Sequence, residues 1–303
     1  MTNCFSDPPA GNVKETLAME AKADAGALLA APALPSSPSP AVRRTAPLQR
    51  LLANRSVRAG LGLAAFFGFW QAVSSLGIVD DFLLPSPFAV AKALWELAVD
   101  GSLWIHLGAS LQRVAVGFLL ACIAGLALGL VCGWWRTVSD FVRPVVEALR
   151  PIPPLAWIPI TILWFGLGDA ASYFLVFLGA FFPAFVATYT AVRSLDRNQM
   201  NAALCLGARP WQLFWDVLIP ASLPIILPGL RIALGVGWMC VVTAELIAAQ
   251  TGLGYLIQQS RMLFQINNVV AGMVTIGLVG FGMSAILERI ERRVNAWAPS
   301  ERN

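Results

Sequence analysis

Few side chains in this 303-residue sequence are equipped for chemistry. There is one histidine, His106, and there are five cysteines, Cys4, Cys122, Cys132, Cys205 and Cys240. The cysteines show no paired spacing and read as free thiols, and His106 has no Cys or His neighbour with which to hold a metal. Glu245 stands in an apolar run, VTAELIAAQTG. An ionisable residue at membrane depth is a functional candidate. Near a span end it can also be solvated or paired with Arg113, and a structural or gating role is the favoured reading. Thr243, Gln250 and Gln71 offer hydrogen bonds. No Ser/His/Asp arrangement and no GxxxxGK[ST] phosphate loop occurs, which argues against an integral-membrane enzyme. An ATP-independent secondary transporter predicts internal repeats and paired intramembrane charges, and the sequence reads with neither.

These groups must be carried by an apolar scaffold. The chain is 57% hydrophobic and only 13% charged, against about 25% charged in soluble domains. Its mean hydropathy is +0.69. Several runs reach the roughly 20 residues that cross a bilayer as helix. The expected fold is an all-α polytopic membrane protein with six spans, at about 59–79, 114–134, 151–167, 173–192, 225–247 and 269–287. Residues 1–48, rich in Ala, Pro and Ser, read as a disordered cytoplasmic tail. A signal peptide over 27–35 is opposed by Pro32, Pro35 and the acids upstream. Residues 49–303 form the transmembrane domain.

Charge orients the spans. With both termini in the cytoplasm, nearly all Arg and Lys fall inside, among them Arg136, Arg143, Arg150, Arg193, Arg209, Arg289, Arg292 and Arg293. Only Lys92, Arg113 and Arg261 fall outside, with Asp80, Asp81, Glu96, Asp100 and Asp169. This is the positive-inside asymmetry, so the +4 net charge does not point to nucleic acid. The spacing LPSPFAVAKALWELAVD predicts a short external helix capped by Ser86, with Phe88, Val90, Ala91, Leu94 and Leu97 on an apolar face. Gly117, Ala121, Gly125, Gly129 and Gly133 form a small-residue stripe, as do Gly229, Ala233 and Gly237. Such stripes let helices approach closely in lipid, within the chain by default or across a dimer. The third span carries Pro151, Pro153, Pro154 and Pro159. Broken backbone at membrane depth lines a cavity or is buried in protein. The expected translocation pathway therefore takes Pro154, Trp157, Pro159 and Glu245, a kinked packing helix being the alternative.

Residues 201–224, NAALCLGARPWQLFWDVLIPASLP, are too polar to span and fall on the cytoplasmic side. The pattern predicts a helix over 198–206 capped by Asn198, a turn at Gly207, and a second helix opened by Pro210 and ended by Pro220. The segment resembles the cytoplasmic signature of ABC-importer permeases: Glu-Ala-Ala, three residues, Gly, nine residues, then Ile-x-Leu-Pro. Here Asn201, Val217 and Ile219 replace the acid, the Ile and the Leu, while Ala202, Ala203, Gly207 and Pro220 match. LLPSPFAV (83–90), RPIPPLAWIPITILWFGLGD (150–169), LGARPWQLFWDVLIPASLP (206–224) and GLGYLI (252–257) are similar to the nitrate/sulfonate/taurine branch, over roughly residues 58–297.

The resemblance implies a type I ABC importer-like permease that works as a homodimer in a bacterial inner membrane. Each protomer would dock one ABC ATPase subunit through the segment 196–222, with Asn201, Ala202, Ala203, Gly207, Ala208 and Pro220 as coupling residues. ATP would be bound by that partner, and no cofactor is expected in this chain. A periplasmic or lipoprotein binding protein would deliver a small anionic solute, sulfonate, taurine or nitrate-like, with an organic sulfonate as the leading reading.

Overall fold

The computed structural model describes residues 55–76 and 84–295; the tail expected at 1–48 lies outside the described residues. The chain divides into two units, 1–62 and 63–303. The described part of the first is the opening of helix α1 (Arg55–Ser75). Among the described residues no strand occurs.

Helix α2 (Pro87–Val99) follows the expected start: Ser86 Oγ accepts from Ala89 N–H at 3.2 Å. Its apolar residues divide. Val90 and Ala93 are buried with Ala271, and Leu94 and Leu97 pack beside them, while Phe88 is exposed. Trp70 of α1 donates its indole N–H to Pro85 O at 3.1 Å, tying α1 to the start of α2.

The core is built on close helix contacts. Helix α3 (Ser102–Trp134) lies against α6 (Asp169–Arg193), and the Gly117 stripe faces it. Gly117 meets Val176, Gly125 meets Ala184, Gly129 meets Thr188 and Gly133 meets Val192. Numbering rises together on both helices, so they run parallel. On another side of α6 lies α8 (Ile219–Ala248), antiparallel, with Gly229 against Ala187 and Gly237 against Val176. Both stripes therefore pack within the chain. Lipid supplies no hydrophobic drive for helix association, so this small-residue contact is what holds the helices together.

Two parallel helices require the intervening chain to return. The return leg is α4 (Arg136–Leu149), a 3-10 turn at Pro154–Trp157 and α5 (Ile158–Phe165), with an 85° bend between the limbs. The third predicted span is thus only the second limb of a bent pair. Eight-residue α5 is about 12 Å long, short of the roughly 30 Å hydrocarbon core. Pro151, Pro153 and Pro154 remove the backbone donors that would have continued one straight helix. The second predicted span also changes: α3 begins at Ser102 and not near 114, which draws Arg113 into the helix.

After α6 come α7 (Arg197–Cys205), a three-residue turn at Pro210–Gln212 and a π-helical stretch at Leu213–Leu218 that runs into α8. Pro220 does not end a helix as predicted; helical backbone continues through it from the π-helical stretch into α8. Helices α9 (Leu253–Met262) and α10 (Ile266–Val294) complete the bundle. Among the described residues, four helical stretches are long and apolar enough to cross a membrane, and five if the bent pair counts as one. The start of α6 and the end of α8 lie at one end of the bundle. The end of α6 and α7 lie at the other, which α10 also reaches, since Arg231 of α8 pairs with Glu291 at 3.4 Å.

A Cβ added at Gly129 would lie 2.6 Å from Thr188 Cβ and 3.0 Å from the Phe185 carbonyl, whereas one at Gly108, on the same helix, meets nothing within 4 Å. Gly129→Leu is expected to cost about 1–3 kcal/mol or more by forcing α3 off α6, and Gly108→Leu little. Thermal unfolding of the two purified variants in detergent checks this; equal melting temperatures would contradict the close α3–α6 contact.

Candidate functional site

Two clusters stand at opposite ends of α6. The first is the exposed segment after it. Asp196, not the predicted Asn198, caps α7: its side chain accepts from Asn198 N–H at 2.9 Å. The helix ends at Gly207 as expected, with φ +86°. Gly207 N–H donates to Leu204 O at 2.9 Å and Ala208 N–H to Ala203 O at 3.0 Å. This paired closure is the Schellman motif, which needs a left-handed residue that glycine supplies without strain. Asn201, Ala202 and Gly207 are exposed, and Ala203, Ala208 and Pro220 are half-buried. Ala203, Gly207, Ala208 and Asp216 share the wall of an open cleft of about 340 Å³ between α7 and the π-helical stretch. Leu206 is 89% exposed and Trp211 71%. The segment thus presents apolar side chains on a helix-turn frame fixed by its own cap and turn.

The second cluster joins α3, α6, α8 and α9. Glu245 is 1% exposed and Arg113 3%. Arg113 Nη1 donates to Glu245 Oε1 at 2.7 Å, and Nε and Nη2 lie 2.8 and 2.7 Å from Asp169 Oδ1. The same guanidinium reaches Thr251 O and Oγ1 at 2.6 and 2.7 Å. Glu245 accepts further from Ser110 Oγ at 2.8 Å and from Gly254 N–H at 2.9 Å. Ser110 Oγ in turn accepts from Leu253 N–H, and His106 Nδ1 from Gly252 N–H at 3.1 Å. A buried ion pair repays its desolvation only when the remaining donors and acceptors are satisfied, and here they are. Gly252 has φ +115°, and a Cβ there would run into the Glu245 carboxyl group. The turn before α9 is therefore moulded around Glu245.

The pathway residues divide. Pro154 lines a narrow apolar crevice with Leu155, Ile158, Leu175, Cys240 and Thr243. Trp157 is half-buried beside it, and its Nε1 is buried without a hydrogen-bond partner among the described residues. Pro159 is exposed on α5. Glu245 does not join this group; its carboxylate turns to α3 and α9. Thr243 donates to Met239 O of its own helix, and Gln71 and Gln250 are exposed. Sequence reasoning missed Ser110, Asp169, Thr251 and Gly254 as members of one network. It raised the Glu245–Arg113 pairing, which the structure forms, but counted no paired charge within the membrane because Arg113 was placed just ahead of its span.

The two arms of Arg113 differ in burial. The Glu245 side chain is 0% exposed and that of Asp169 58%. Removing the Glu245 charge leaves Arg113 buried with only a solvated partner. Glu245→Gln is expected to destabilise by about 3–5 kcal/mol, and Asp169→Asn by about 1 kcal/mol or less. Thermal unfolding of both variants tests this order, and an Asp169 effect equal to that of Glu245 would contradict it.

Residues 125–296 match the family described as the binding-protein-dependent transport system inner membrane component. The chain is 36% identical over 250 residues to the taurine transport system permease protein TauC of Escherichia coli (strain K12), covering 80% of this chain and 91% of that protein. It is 33% identical over 273 residues to the nitrate import permease protein NrtB of Leptolyngbya laminosa, covering 86% and 96%. In fold it resembles the inward-facing MetNI methionine ABC transporter, with a TM-score of 0.53 at 21% identity over 69% of this chain and 98% of that one. An all-helical bundle with membrane-length apolar helices, matched over most of its length, is what such a relationship requires: the chain belongs to the binding-protein-dependent inner membrane component family and is a multi-pass permease subunit of an ABC importer.

Proposed function

We propose that this subunit passes a small anion, first an organic sulfonate, across a bacterial inner membrane as a homodimer. Taurine and nitrate, for which two relatives are named, both carry an oxyanion group, taurine's being balanced by its ammonium, which supports a solute of that class. Taurine, at slightly higher identity, favours the sulfonate. The chain has no GxxxxGK[ST] loop, so ATP is hydrolysed on a partner. A periplasmic or lipoprotein binding protein supplies the solute from the other side.

The proposed topology has six spans with both termini in the cytoplasm, α1 adding a sixth leg to the five counted with the bent pair. Positive-inside charge supports it: Arg136, Arg193, Arg209, Arg289 and Arg292 cluster at the end of the bundle that bears α7. Residues 49–303 form the permease domain and 196–222 its coupling segment.

The observation that carries the mechanism is the exposed helix-turn frame of α7. Asn201, Ala202, Ala203, Gly207, Ala208 and Pro220 form the handle that the ATPase grips. Cap and turn fix α7 internally, and α6 connects it directly to the packed core. Closure of the ATPase pair would move α7 as a rigid body and rock α6 with α3 and α8, switching access between the two sides. At the far end, the Glu245–Arg113 pair acts as a structural tie and not as a solute ligand, since a carboxylate repels an anion. The Pro154, Trp157 and Pro159 turn, where the backbone bends, is the proposed wall of the pathway. A secondary transporter would find its paired charge in Glu245 and Arg113. That pair is sealed by protein donors and acceptors, which leaves no open position for a coupling ion.

Gly207→Pro removes the N–H that closes the Schellman turn, and proline's φ of about −65° cannot reach the positive angle there. The variant is expected to insert normally yet abolish uptake of labelled taurine in cells that also express the ATPase and binding protein. Uptake at the unaltered rate would sink the coupling reading. Uptake of labelled nitrate with no uptake of taurine would overturn the sulfonate assignment alone.

A further inference from the structure

Helix α4 has three unlike edges. Val138, Val142 and Val146 pack against Leu178, Phe182 and Phe185 of α6. Phe141 and Val145 form an apolar edge, 77% and 57% exposed. Opposite that edge, at helical spacing, stand Arg136, Asp140 and Arg143. This polar edge closes with Tyr189 and Arg193, from the last turn of α6, around an open cavity of about 460 Å³. The cavity lies at the coupling end of the bundle. Arg193 immediately precedes the α7 cap region, and Trp134, next to α4, meets Phe214 of the coupling segment edge-on, with ring centres 5.8 Å apart.

Three guanidiniums face this cavity against the single carboxylate of Asp140 in its lining. Arg143 gives Nε to Glu147 at 2.6 Å and also bonds to the Tyr189 hydroxyl. Among the described residues, neither Arg136 nor Arg193 has a carboxylate within ion-pair distance. The Arg143 and Arg193 guanidiniums sit 5.9 and 5.7 Å from the centre of the Tyr189 ring. The Tyr189 hydroxyl is hydrogen-bonded to buried Ser139 at 3.4 Å. Contact with the ring and hydroxyl of Tyr189 holds both guanidiniums at the cavity, and a five-donor guanidinium keeps further N–H groups for a ligand. Arg193 also complements the α6 C-terminus, but that role needs neither Arg136 nor Arg143. Like charges gathered on one cavity repel, and an anion between them would relieve the repulsion.

We infer that this cavity binds a tetrahedral oxyanion, a phosphate or sulfonate group, through Arg136, Arg143 and Arg193. Guanidinium forks match such oxygens two at a time. Two sources carry that group: an anionic phospholipid, whose chains would lie along Phe141 and Val145, or a free oxyanion in the water. Either would place a bound anion beside the coupling segment, independently of which solute is transported.

The test uses the delipidated permease–ATPase complex in a neutral detergent. Its melting temperature is titrated with inorganic phosphate, with methanesulfonate, and with dioleoylphosphatidylglycerol against dioleoylphosphatidylcholine. Saturable stabilisation is expected from an oxyanion-bearing ligand, with apparent affinity lowered about tenfold or more by Arg136→Gln/Arg193→Gln and unchanged by Arg289→Gln. A response to the soluble anions identifies a free oxyanion; a response to phosphatidylglycerol alone identifies a lipid. No saturable response to any of the three, or equal affinity in the double variant, overturns the inference. Should the double variant not purify as a complex, Arg143→Lys decides: it keeps the charge and loses the fork, so unchanged affinity overturns the site and reduced affinity supports it.

Discussion

Close contact along α6 is the constraint on which the rest of the structure depends. In lipid, helices gain little by hiding apolar surface from one another and are held by contact at short range. Helix α6 meets the glycine stripe of α3 on one side and Gly229 and Gly237 of α8 on another. Because α3 and α6 run parallel, the chain between them must return, and the bent α4–α5 leg follows. Because only residues 194–196 separate α6 from α7, a movement of α7 is passed over a short link to the most tightly packed helix of the core.

The ends of this slab are fixed by polar chemistry of two kinds. At one end the backbone satisfies itself, through the Asp196 cap and the Gly207 turn. It leaves Leu206 and Trp211 exposed. At the other end a buried charge pair does the work. Ser110, Thr251 and the Gly254 N–H complete the shells of Glu245 and Arg113, so the pair is tied into four helices. An exposed helix-turn frame at one end and a buried charge pair at the other, joined by α6, is the arrangement expected of a subunit driven by a separate motor.

Much of this was legible in the sequence because it rests on local signals. The Gly207 turn, the Ser86 cap and the small-residue stripes each follow from a residue type at a fixed spacing, and each is observed. The polar network was not legible as a network. Ser110 and Thr251 are ordinary residues in a linear reading, and only the parallel α3–α6 contact and the turn at Gly252 bring them to Glu245. Arg113 was read as an exception on the outer side because hydropathy marks where a span is apolar, not where its helix begins. The third span was misjudged for a related reason: its prolines announce a break but not the 85° bend. That bend is set by the need to return between parallel helices. Asn198 was read as the cap that Asp196 in fact supplies, because boundaries in a polar stretch are decided by a single hydrogen bond.

The central claim is that α7 is the face on which the ATPase docks. The chain carries a reporter there: Cys205, at the end of α7, is exposed, whereas Cys132 and Cys240 are buried. With Cys4 changed to Ser, a membrane-impermeant maleimide should label Cys205 in inside-out vesicles of the permease alone, and labelling should fall sharply when the ATPase is assembled. Equal labelling with and without the ATPase, or labelling only from the opposite side of the membrane, would contradict the account.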